Sequence, residues 1–347
     1  MALIVLGAGA TRGASFVNEN KDPSCPPLDG DFFTQLQRIR NTKHKKLIDD
    51  VMKDAVDMFG PNFTATMETV FTTLEHTIRM LKTTGESRDF AIAELTKKRD
   101  RLKQALAASL EESLTVRGAN GESTHVLRTC EHHDKLVNDL LRKGDDIISF
   151  NYDCTIDESL RRCGNGKWSA RYGYGFNLGS RGSRFKGENH WQSESPNMNK
   201  DAIRLLKLHG SLHFKIEGAP YRVTLKQRPY TKQNGNLQFS IIPPVWHKAY
   251  DKGAFADLWA RASDAIHRAN SIVFIGYSMP ATDLHSSALF RTSVRKRKLK
   301  HVAVVNPDRD ARRRIRTVVQ RGITPATRIL SFDLLSHFVA ADRSVWA

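Results

Sequence analysis

Three side chains in this sequence have the types and positions to do chemistry together: the amide of Asn151, the carboxylate of Asp153 and the imidazole of His209. An imidazole titrates near neutrality and can take or return a proton, while an amide or carboxylate can orient a hydroxyl or a water. Each follows an apolar run. Residues 147–150, Ile-Ile-Ser-Phe, stop at Asn151-Tyr152-Asp153, and the run 203–208 delivers Lys207-Leu208-His209-Gly210-Ser211. A strand closing in an Asx-type turn reads this way. So does a parallel strand bringing polar groups to the carboxyl edge of an α/β sheet, where ligands bind. The rest of the chain favours the second reading.

Other runs end alike. Residues 2–6 are continuously apolar, the pattern of a strand buried on both faces. They lead into Gly7-Ala8-Gly9-Ala10-Thr11-Arg12-Gly13, whose G-x-G-x-x-x-G spacing is one residue longer than the dinucleotide fingerprint. Glycines there would let backbone approach a pyrophosphate, with Gly7 and Gly9 offering donors and the next helix turning its first N–H groups to the charge. Runs 271–275 and 301–305 end at Gly276-Tyr277-Ser278 and Asn306-Pro307-Asp308. Gly276, Ser278 and Asn306 could meet a ribose, and a dinucleotide suits the whole set.

Positioning these ends requires alternating strands and helices. Helices are expected over about 254–270, 283–297 and from 309 to about 321, which implies parallel βαβ units and a doubly wound, Rossmann-like, mostly parallel α/β sheet. Between the first strand and the next, residues 31–144 show helical spacing: Leu36 to Val56, Met67 to Leu81, Phe90 to Leu114 with Ser87 as a possible cap, and about 136–141. These stripes read as core faces of an inserted helical layer within one domain spanning 1–347. Residues 163–200, rich in Gly, Ser and aromatics, could form a loop or lid over the site. Residues 214–242 read as short strands or a hairpin turning at Asn234-Gly235.

With 54 Lys+Arg against 37 Asp+Glu the chain carries a formal charge of +17, concentrated in 291–300 and 309–321. An anionic partner or a solvated basic face would each account for it. Four scattered cysteines, with no Cys-x-x-Cys, argue against a disulfide framework. No signal peptide or membrane-length apolar stretch is evident, so a cytoplasmic location is expected. The sequon at Asn62 is then incidental.

Taken in order, Gly7-Ala8-Gly9-Ala10-Thr11, Ser149-Phe150-Asn151-Tyr152-Asp153, Leu208-His209-Gly210-Ser211, Gly276-Tyr277-Ser278 and Val305-Asn306-Pro307-Asp308 resemble the sirtuin motifs. In particular the chain resembles the prokaryotic sirtuin-like NADase effectors of antiphage defence. The resemblance implies that Gly7, Ala8, Gly9, Ala10 and Thr11 form the phosphate turn. It puts Asn151 beside the nicotinamide ribose, Asp153 at the carboxamide, His209 as general base, and Gly276, Ser278 and Asn306 along the adenosine half. Its departures are informative. The paired Cys-x-x-Cys of the deacylases' structural zinc is missing, Phe150 stands where they carry glutamine, and Thr11 stands for serine. Peptide deacylation is thereby put in doubt, while cleavage of NAD+ to nicotinamide and ADP-ribose, with NAD as substrate and no metal, is left intact. The resemblance also implies control by a partner such as a translocase ATPase or an Argonaute-type protein, or by homo-oligomerisation. Deacylation or ADP-ribosyl transfer, a non-catalytic NAD or ADP-ribose module, and nucleic-acid contact through the basic helices stay open.

Other candidates weigh less. Cys130-Glu131-His132-His133 holds zinc-type ligands, but adjacent histidines cannot share one helical face. His213 follows His209 at i+4 but, in a strand-and-turn context, need not face the same site, and His247 could line a lid or pack. Asp283 could contact ribose, though a helix cap is the better reading.

Overall fold

The computed structural model describes residues 1–22, 24–83, 88–119, 123–164, 166–178, 183–191, 202–227, 239–243, 253–280 and 283–347. Six strands form the central sheet: β1 (Ala2–Leu6), β2 (Asp146–Ser149), β3 (Arg204–Lys207), β4 (Ser271–Ile275), β5 (His301–Val305) and β6 (Arg328–Phe332). All pair in parallel, in the order β6-β5-β4-β1-β2-β3. This is the doubly wound order, which reverses between β1 and β4. Residues 2–6 are unbroken apolar because β1 is central and covered on both faces; every one of them is buried. The edge strand β6 alternates exposed and half-buried residues and carries no apolar run, which is why its pattern does not stand out in sequence.

Besides a single turn at Ala170–Gly173, the α-helices of the described residues are α1 (Ala8–Arg12), α2 (Phe32–Gln37), α3 (Lys45–Phe59), α4 (Met67–Thr83), α5 (Asp89–Leu114), α6 (Glu131–Lys135), α7 (Thr155–Cys163), α8 (Gly253–Arg268), α9 (Leu284–Ser293), α10 (Arg309–Val319) and α11 (Leu335–Ala340). Helices α2–α5 make up the inserted layer. Phe32, Leu36, Val51, Phe71, Leu106 and Leu110 build its own apolar core, each large side chain worth about 1.5–3 kcal/mol on burial. The layer is seated on the sheet where Leu212, Tyr152 and Ile241 join that core. A short antiparallel pair, Thr115–Arg117 with Ser123–Leu127, follows α5. The expected helix at 136–141 starts earlier, as α6, and widens into a π-type turn over Leu136–Leu140.

Within 214–242 the hairpin pairs Phe214–Glu217 with Arg222–Leu225. The Asn234-Gly235 turn, the Ser87 cap and His247 lie outside the described residues. In 163–200 the aromatics Trp168, Tyr174, Phe176 and Trp191 pack into the core of the sheet domain. None of the described residues of that stretch lines the cleft described next. No helix of the described residues is long and apolar enough to cross a membrane.

Candidate functional site

The strand ends meet at the switch point. Gly7 at the end of β1 and Gly276 at the end of β4 cross so closely that a Cβ on Gly7 would lie 2.6 Å from Tyr277 Cα, and one on Gly276, at φ +60°, 2.0 Å from the Ala10 nitrogen. Only glycine fits such a crossing. The N–H groups of Gly7 and Gly9 donate to Ile275 O and Gly276 O at 3.0 and 2.9 Å, and that of Ala10 to Gly7 O at 2.8 Å. These glycines therefore serve the junction between two turns, and those three N–H groups, expected to face a phosphate, are engaged within the chain.

Above the junction opens a cleft of about 730 Å³. Gly7, Ala8, Gly9, Thr11, Asn151, Asp153, His209, Gly276, Ser278 and Asn306 all line it; Ala10 is buried within α1. Five stretches far apart in sequence thus reach one cavity.

The β2 turn is held by a relay. Asp153 accepts from Thr155 N–H at 2.8 Å and from Thr11 Oγ1 at 2.8 Å, and Thr11 Oγ1 in turn accepts from Asn151 Nδ2 at 3.1 Å. Nδ2 also donates to Gly7 O at 3.0 Å. A carbonyl can only accept, so the orientation of the amide is set. Asn151 Oδ1 is left buried without a partner among the described residues. A buried acceptor without a donor costs about 1–3 kcal/mol. The arrangement holds an acceptor ready for an incoming O–H.

His209 sits at the β3 end with Phe150 edge-on at 5.0 Å between ring centroids; Phe150 stacks on Tyr277 at 4.4 Å and 11°. Asp283 joins the two. Its Oδ2 accepts from Tyr277 OH at 2.9 Å and lies 4.0 Å from His209 Nε2. Asp283 also caps α9, accepting from the Ser286 N–H and hydroxyl at 3.3 and 2.7 Å. The capping reading of this residue is thus met, and the same carboxylate belongs to the cleft wall. Burial first, then the carboxylates of Asp283, Glu68 and Asp29, push the Tyr152 phenol well above its usual range; it donates to Ile242 O at 2.9 Å.

A fully buried polar network lies behind both turns. Lys207 pairs with Asp157 at 2.9 Å and donates to the carbonyl of Asp153. Tyr174 OH donates to Asp157 at 2.7 Å and lies 2.9 Å from His213 Nε2, whose Nδ1 is 2.8 Å from Ser211 Oγ; that hydroxyl donates to Tyr152 O at 3.2 Å. Burial, then the Lys207 charge, keeps His213 neutral by lowering its pKa well below the usual value. His213 therefore packs behind the site and does not line it.

Sequence reasoning missed the opposite wall. Pro26, Pro27, Leu28 and Asp29 come from the loop after α1, Met67 and Glu68 from α4, Leu106 and Leu110 from α5. The helical residues are indistinguishable in pattern from core stripes. Asp333 and Leu335 follow the unpredicted β6. Tyr277 and Asp283 carried a signal, since they flank or follow Gly276 closely. Among the described residues no group of three or more His, Cys, Asp or Glu could hold a metal ion. Cys130 and His133 instead pair, with Sγ 3.0 Å from Nδ1, while His132 faces Gly13 O at 3.3 Å. Burial opposes the Cys130 thiolate, but His133 outweighs it and brings the thiol down to about 7.

Residues 145–326 match the family model described as a SIR2-like domain. No curated protein matches the chain. Among solved structures the chain is similar to a mutant Sir2 homologue in complex with 2'-O-acetyl ADP ribose, at 12% identity and a TM-score of 0.39, covering 97% of this chain and 88% of that one. It is also similar to Sir2 in complex with an inhibitor, 2'-O-acetyl-ADP-ribose and a deacetylated peptide, at 10% identity and a TM-score of 0.31, covering 98% and 91%.

Proposed function

The chain belongs to the SIR2-like domain family, and on that premise we propose that it is an NAD+ glycohydrolase, cleaving NAD+ to nicotinamide and ADP-ribose. The observation that carries this reading is Asn151: an amide locked through Nδ2, with an Oδ1 that has no partner among the described residues, in a dinucleotide-sized cleft at the sheet's switch point.

The bond from the ribosyl carbon to the pyridinium nitrogen breaks with its electron pair going to nicotinamide, which leaves neutral. The cationic ribosyl centre is captured by water. Asn151 Oδ1 accepts a hydrogen bond from that water or a ribose hydroxyl, and His209 takes the proton released, with Asp283 orienting the imidazole. The sum is NAD+ and water to nicotinamide, ADP-ribose and one proton. Asp153 works through Thr11 as the residue that fixes Asn151, and its carboxylate also lines the cleft where a carboxamide could donate to it. The stacked Phe150 and Tyr277 give a flat apolar surface, and Met67, Leu106 and Leu110 exclude water from the far side. Gly276, Ser278 and Asn306 border the part of the cleft assigned to the adenosine half.

The resemblance to antiphage effectors supports a role for this activity in NAD+ depletion during infection, under the control of a partner or of self-assembly. Incubating the purified chain with NAD+, alone and with its genomic neighbours' products, tests it. Equimolar nicotinamide and ADP-ribose is the expected result. Loss of acetyl groups from an acetyl-lysine peptide, label transfer to protein, or tight NAD+ binding with no turnover under every condition would each replace the proposal.

A further inference from the structure

A strongly basic face has exposed lysines and arginines that do not line the cleft. Between 284 and 332 the chain has thirteen Lys or Arg and two acids, Asp308 and Asp310, so this stretch carries eleven of the seventeen net charges. The fold gathers these residues. Arg297 N–H donates to Arg321 O at 3.0 Å, Leu299 N–H to Gly322 O at 3.0 Å and Arg328 N–H to Lys300 O at 2.9 Å, so the 294–300 segment, the end of α10 and the start of β6 adjoin.

Helix α10 divides its arginines between two duties. Arg312 donates to Asn306 O and pairs with Asp333, and Arg314 donates to Ser278 O and Met279 O, all at the cleft rim. Arg309, Arg313 and Arg316 stand exposed on another side at spacings of four and three, and exposed Arg321 follows in the short turn after the helix. Arg313 also meets Asp310 at 3.2 Å. Exposed Arg291, Arg295, Lys296, Arg297 and Lys300 adjoin it. Arg297 holds φ +53°, a conformation that glycine or asparagine adopts at less cost.

The chemistry of this face selects its partner. No Phe, Tyr or Trp lies between 291 and 331, so there is no platform for stacking unpaired bases. Its exposed large apolar side chains are Leu284 and Ile329, far from the apolar core that a protein interface carries. A helix whose exposed side carries Arg309, Arg313 and Arg316, with Asp310 its one acid, fits the wide major-groove side of B-form DNA and the phosphates flanking it, whereas the A-form RNA groove is too narrow for it. We infer that α10 with the 294–300 segment is a sequence-independent docking surface for the phosphate backbone of double-stranded DNA. This does not rest on the proposed NAD+ chemistry.

The test is fluorescence polarisation of the full chain with a short labelled DNA duplex of arbitrary sequence. Between about 50 and 200 mM salt, a five- to seven-phosphate contact should weaken binding by roughly 10³-fold. The triple substitution Arg313→Glu, Arg316→Glu, Arg321→Glu should abolish binding with an unchanged thermal midpoint. The milder pair Arg309→Gln and Lys296→Gln, a safeguard against misfolding of the triple, should lower the log–log salt slope by about two. No binding at the lower salt, binding indifferent to both variant sets, or tighter binding to duplex RNA or an acidic peptide would overturn the inference.

Discussion

At the residue scale the site turns on which atom of Asn151 is spoken for. Replacing Asn151 by alanine removes the only buried acceptor that the β2 turn leaves without a partner among the described residues, and NAD+ turnover should fall by about 10³-fold or more. His209→Ala should cost about 10²–10⁴-fold, the usual share of a general base. Thr11→Val is the sharper probe. It breaks the relay between Asp153 and Asn151 while leaving both in place, so steady-state kinetics should show kcat reduced at least tenfold with KM little changed. A raised KM with kcat unchanged would mean that Thr11 only shapes the cleft. The types and order of Asn151, Asp153 and His209 were legible in the sequence because each closes an apolar run. The orientation of the amide was not, since it depends on Gly7 O and Thr11, some 140 residues away. Asp283 was read as a cap and is one; its second face, toward His209, follows only from the folded geometry.

At the scale of elements, the junction of the β1 and β4 turns sets the shape of the cleft floor. Gly276→Ala puts a methyl 2.0 Å from a backbone nitrogen that cannot move alone, and denaturant unfolding should show a loss of about 2 kcal/mol or more. Behind the β2 and β3 turns, Lys207 and Asp157 are completely buried. Removing one charge strands the other, so Lys207→Met should cost about 3–5 kcal/mol. The sequence offered Lys207 only as a neighbour of His209, because a buried lysine looks no different from an exposed one in a list of residues. The helix α7 supplies a pH-dependent contact. Burial works against the Glu158 carboxylate, but bonds from His190 and Arg161 hold it down to about 2 from an ordinary 4.5. A depressed carboxylate stabilises the fold above its unfolded pKa and loses that contribution as pH falls toward the folded one. Stability should therefore decline between about pH 4.5 and 2 by at most about 3 kcal/mol from this group, and Glu158→Gln should flatten that part of the curve.

For the whole molecule, the alternation of strands and helices and the polar strand ends were enough to read a doubly wound sheet with an inserted helical layer, and the sheet has that order. Two things escaped. The edge strand β6 is half exposed and carries no apolar run. The helical layer's part in the cleft wall was hidden because Met67, Leu106 and Leu110 obey the same spacing as the residues of their own core. The assembled cleft belongs to both layers, so an activity that uses it needs them docked. The most direct measurement is the quantity of nicotinamide and of ADP-ribose released from NAD+ by the purified wild-type chain, with any activating partner present, beside Asn151→Ala of equal thermal stability. Equal molar amounts of the two products from the wild type and neither from the variant is the predicted result. Intact NAD+ in both, or the same products from the variant at the wild-type rate, would contradict it.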